Sequence, residues 1–62
     1  MKKEKFIEKF IELDTVYDIA VKYGDKVIER YQAKQIGDLF EQIRNELPAD
    51  EALEVLETIA NI

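Results

Sequence analysis

The side chains of this chain that could do chemistry are carboxylates and amines, and they fall into two rows. Glu46, Asp50, Glu54 and Glu57 lie at helical spacing if one helix phase carries across Pro48, while Lys22, Lys26, Arg30 and Lys34 follow one another in steps of four. Nucleophiles are nearly missing: there is no Ser, no Cys and no His, and Thr stands only at 15 and 58. Paired carboxylates can share general acid–base work, and Glu-rich helices can hold metal ions. The helical carboxylate sites of that kind, however, use Glu-x-x-His inside a bundle, and here every Glu falls on a polar helical face. Such faces are ordinarily solvated. The chain therefore reads as a non-enzyme, with no cofactor and no metal.

Without catalysis, the rows are candidates for binding. The acidic row could seat on a basic partner or imitate the phosphates of DNA, and it is equally complementary to the basic row of the same or a neighbouring chain. The basic row has a counterpart in a known motif. Thr15-Val16-Tyr17-Asp18-Ile19-Ala20-Val21-Lys22-Tyr23-Gly24 resembles the first helix and turn of the helix-turn-helix family, with Ala20 four residues before the turn glycine Gly24 and Ile19 beside it. That resemblance implies a second helix read in the major groove, and Lys26, Arg30 and Lys34 fall on one side of it, joined upstream by Lys22. Two positions depart from the pattern: Asp25 replaces the apolar residue that anchors the turn, and Arg30 stands where the second helix buries an apolar side chain. The simpler reading pairs Lys22 with Asp18 and leaves the rest of the row solvated or salt-bridged.

These rows need elements to carry them, and the apolar spacing supplies helices. Phe6, Phe10, Leu13, Tyr17, Ala20, Gly24, Val27 and Tyr31 recur in alternating steps of four and three, a helical period, with Val16, Val21, Tyr23 and Ile28 widening the stripe towards that of a helix facing a core. At Asp14-Thr15 either residue could cap a new helix, with Thr15-x-x-Asp18 as a capping box, yet the period runs through. An unbroken helix from 4 to 33 would be about 45 Å long against about 33 Å for the later helices end to end. Either the chain bends near Asp14, or a second copy covers Phe6, Ile7, Phe10 and Ile11. Gly24 could end a helix, but Val27, Ile28 and Tyr31 keep the phase, so a continuous helix is expected, with Gly24 where another backbone approaches. Residues 32–37 read as a connection broken at Gly37. Asp38-x-x-Glu41 then opens a helix of about 38–47, Pro48 stops it, and Asp50 caps a last helix whose face is Ala52, Leu53, Leu56, Ile59 and Ala60, with Val55 and Ile62 at its margins.

Sixty-two residues make at most one domain, here residues 1–62, and so small a domain compensates with disulfides, a metal or oligomerisation. Lacking Cys and His, this chain is left with oligomerisation or tight helix packing. The charged fraction of 37 % with interspersed signs suits a folded helical protein. No apolar run approaches a membrane span or a signal peptide, so the cytoplasm is the expected compartment. Residues 1–35 carry eight Lys/Arg against seven acids, and residues 36–62 one Arg against seven acids; a net charge of −5 makes a poor generic nucleic-acid binder.

The expectation is an all-α domain, a small bundle of three to four helices with a long central helix at 15–33 and a C-terminal helical hairpin packed on it. Phe6, Phe10, Tyr17 and Tyr31 are the expected partner or dimer anchors, the tyrosines because a buried seam must place their hydroxyls at a wet edge. The expected function is that of a non-catalytic protein-interaction module, a small intracellular regulator or inhibitor of the kind phages and mobile elements encode. It would act as a homodimer on a protein partner. A small DNA-binding regulator at 15–34 and an acidic DNA mimic are the alternatives.

Overall fold

A computed structural model describes residues 2–62. Among them the chain is all-helical, with three helices and no strand: α1 (Lys2–Tyr23), α2 (Lys26–Glu46) and α3 (Ala49–Ala60).

The first helix runs unbroken through Asp14 and Thr15. Thr15 caps nothing; its Oγ1 donates to the Ile11 carbonyl at 2.7 Å, one turn back in the same helix. The chain turns instead at Gly24, whose φ of 73° is the left-handed conformation that a side chain resists. Two hydrogen bonds close the end of α1, Asp25 N donating to the Ala20 carbonyl at 2.8 Å and Gly24 N to the Val21 carbonyl at 3.2 Å. These are the two bonds of a Schellman cap. The next residue starts α2: Asp25 is its N-cap, with Oδ1 accepting from Ile28 N at 3.1 Å. A two-residue link thus terminates one helix and nucleates the next.

Gly24 is therefore a turn, and the expected continuous helix at 15–33 does not form. No backbone crowds it, since a Cβ placed there would meet nothing within 4 Å. The expected break at Gly37 is also absent, because α2 runs straight through it. Glycine inside a helix costs about 1 kcal/mol relative to Ala. Burial of Leu39 and Ile43 on the same helix outweighs that, at roughly 1.5–3 kcal/mol per large apolar side chain. Asp38 and Glu41 are helix-interior residues as a result.

Helices α1 and α2 pack antiparallel along their length. Phe6 shares a core with Leu39 and Ile43, Phe10 stacks on Phe40 with ring centroids 5.9 Å apart, and Val16 shares a groove with Ile28, so numbers rise along one helix as they fall along the other. After Leu47, whose N–H closes α2 on the Ile43 carbonyl, Pro48 is the N-cap of α3 and Asp50 lies inside its first turn. The core face of α3 is Ala52, Val55, Leu56 and Ile59. Val55 is fully buried, whereas Leu53, expected on that face, is exposed.

The layout is uneven. α3 has 12 residues and α1 has 22, or about 18 Å against 33 Å at 1.5 Å per residue, in a particle 37 Å long. The core is consequently one-sided in sequence: Phe6, Leu39, Ile43, Leu47, Ala52, Val55 and Ile59, backed by Ile7, Phe10, Leu13, Phe40 and Leu56. Lys2–Glu46 at 3.8 Å and Lys3–Glu54 at 3.3 Å tie the start of α1 to the end of α2 and to α3 at this core end. Beyond it, α1 and α2 continue as a bare two-helix hairpin ending at Gly24.

Candidate functional site

The four expected aromatic anchors separate. Phe6 is buried in the core and Phe10 is half-buried against Phe40, because α2 folds back over α1 and α3 covers the pair; both are used inside the monomer. Tyr17 is half-buried on the α1 seam, and Tyr31 is exposed on α2.

The charged rows separate as well. Glu46 ends α2, accepting from Gln42 Nε2 at 2.7 Å and facing Lys2. The Leu47–Pro48 turn breaks the helix phase, so only Asp50, Glu54 and Glu57 share the outward side of α3, with Glu54 held by Lys3. Of the basic row, Lys22 sits in the last turn of α1, while Lys26, Arg30 and Lys34 do lie along one side of α2. Lys26 approaches Glu29 at 3.7 Å; the expected Lys22–Asp18 pair is not among the ion pairs of the described residues. The geometry is not that of a helix-turn-helix, whose helices cross at about 90–120° after a longer turn. Here they run antiparallel from a two-residue link.

At the bare hairpin end a different constellation forms. Val16, Ile19, Ala20, Tyr23 and Ile28, with Asp25 at the turn, line a groove of about 190 Å³ between the helices. Ala20 is 4 % exposed and is the small residue over which the two helices close. The large side chains around it are open to solvent: Val16 41 %, Ile19 51 %, Tyr23 80 %, Val27 79 %, Ile28 41 % and Tyr31 59 % exposed. Val27 and Tyr31 do not line the groove but stand four apart on α2, one residue before and three after Ile28, and so flank it on that helix. With aromatic side chains worth 150–250 Å² each and the four aliphatic ones less, the six, scaled by their exposure, present on the order of 600 Å². The largest apolar patch of an ordinary monomer is about 300–600 Å².

Helical phase places this surface relative to α3. Lys3 and Ile7, which meet Glu54, Val55 and Thr58 of α3, lie about half a turn around α1 from Val16, Ile19 and Tyr23, at 3.6 residues per turn. The groove thus opens away from α3. Towards the core end, the cleft bounded by Phe6 and Leu39 is rimmed by Lys2, Lys5, Lys9 and Glu46 and is charged.

Of this surface, Tyr31 is an expected anchor, whereas Val16, Tyr23 and Ile28 read from the sequence as the widening of a core-facing stripe, and the residues expected to need cover are Phe6, Ile7, Phe10 and Ile11. The available signal was Gly24 followed by Asp25, a helix stop directly before a helix start. Among the described residues no group of three or more His, Cys, Asp or Glu is arranged to hold a metal ion, and no helix is long and apolar enough to cross a membrane. Compared with protein-family models, with curated proteins and with solved structures, the chain matches none.

Proposed function

We propose that this chain is a non-catalytic protein-interaction module, a small regulator or inhibitor, that docks the uncovered end of its α1–α2 pair on a protein surface. One observation carries the reading: six large apolar side chains stand exposed along the part of the α1–α2 hairpin that lies outside the three-helix core, four of them lining one groove. Exposing them is costly at about 25 cal/mol per Å², and a patch of this size is what interaction sites display. The two charged rows contribute less. Exposed pairs such as Lys3–Glu54 and Lys26–Glu29 are worth about 0–1 kcal/mol.

A photo-crosslinking amino acid placed at Val27, in cells expressing the chain, tests this reading. Adducts are expected from position 27, lost when Ile19→Asp is added, and absent from the same probe at Glu57 on the outer side of α3. Folded protein that gives no adduct at 27, or gives one only at 57, overturns it.

A further inference from the structure

We infer that the occupant of this face is a second copy of the chain, laid hairpin end over hairpin end with the two molecules pointing in opposite directions. The inference rests on the docking reading above and names its partner. Area is the first argument. A surface on the order of 600 Å² is about three quarters of one partner's share, about 800 Å², of a standard interface, and two of them exceed the roughly 1,000 Å² that a specific contact requires.

Symmetry is the second. The surface draws Val16, Ile19 and Tyr23 from α1 and Val27, Ile28 and Tyr31 from α2, two stripes on antiparallel helices. A two-fold axis in the plane of the face, perpendicular to the helices, lays α1 over the other copy's α1 and α2 over its α2. Each contact between copies is then antiparallel, as is α1 against α2 within each copy, and the four helices form an up-down-up-down bundle. Such a contact is isologous and closes on itself.

Charge selects this orientation over its alternative. Residues 15–34, the hairpin end, carry Lys22, Lys26, Arg30 and Lys34 against Asp18, Asp25 and Glu29, nearly neutral, whereas the core end, residues 1–14 with 36–62, carries eleven acids against Lys2, Lys3, Lys5, Lys9 and Arg44. Two copies pointing the same way would set those acidic ends side by side. Pointing oppositely, with each particle 37 Å long, they lie well beyond the screening length of about 8 Å at physiological salt.

Sedimentation equilibrium across micromolar to millimolar concentrations tests the inference. Twice the chain mass of 7.3 kDa is expected for the native protein, with Ile19→Asp and Val27→Lys each weakening association by at least about 30-fold, the effect of removing an anchor. Both positions are exposed in the single copy, so helical circular dichroism is expected to persist. With no native cysteine, Ile19→Cys should be joined to its own counterpart by a short bis-maleimide, and Leu53→Cys should not. A native monomer at millimolar concentration overturns the inference, as does a dimer indifferent to both charge substitutions or linked through position 53. If the native protein is a monomer while position 27 still crosslinks to a different protein in cells, the docking reading survives alone; if neither is seen, both fall.

Discussion

Replacing Gly24 by alanine adds one methyl group to open space, because a Cβ there meets nothing within 4 Å, so its effect is torsional. At φ 73° the left-handed conformation costs an L-residue about 1–2 kcal/mol, and the stiffer unfolded chain returns about 0.4–1 kcal/mol. The net is a loss near 1 kcal/mol. Gly37 is equally open but helical, so Gly37→Ala should gain about 0.8–1 kcal/mol. For a domain of this size each kcal/mol moves the melting midpoint by about 8 °C. The two alanine variants should therefore melt about 15 °C apart, on opposite sides of the native chain. Circular dichroism at 222 nm on all three proteins at one concentration is the assay. A Gly24→Ala protein as stable as the native one would refute the turn at Gly24, and a destabilised Gly37→Ala protein would move the break there.

Asp25→Ala removes the acceptor for Ile28 N and should cost about 1 kcal/mol, recovered in large part by Asp25→Asn, as read from urea midpoints. Ile43 is 0 % exposed at the meeting of all three helices, so Ile43→Ala should cost about 2–5 kcal/mol and leave little cooperative unfolding transition in a domain this small. Lys3→Ala, by contrast, loses an exposed pair to Glu54 and should shift the urea midpoint by less than the equivalent of about 1 kcal/mol.

Helical class was legible because the apolar steps of three and four allow nothing else. The turn was not, for a physical reason: Val27 and Tyr31 continue the phase of Tyr17 and Ala20 although α2 has reversed direction. A hydrophobic period records which side of a helix is apolar, and it does so equally for Ile43, sealed in the core, and for Val27, 79 % exposed. Gly37 misled in the opposite way, since tertiary burial of Leu39 and Ile43 overrides one poor helix former. Leu53 and Val55 exchanged roles because α3 begins at Ala49, after Pro48, which sets its facing independently of α2. An apolar surplus was readable from composition; its location depended on where the chain reversed.

The short third helix also grades the molecule's resistance to opening. Amides around Ile43 and Val55 lie under the shared core of three helices, while those from Val16 to Tyr31 are held by a two-helix hairpin whose buried residue is the small Ala20. Hydrogen exchange should therefore be slowest near Ile43 and quicken towards Gly24, the hairpin end opening in local excursions well below the global unfolding free energy. On the docking proposed above, an occupant of that end should also quiet it, and the slowing of exchange at Val16 to Tyr31 on association would measure capture and ordering together.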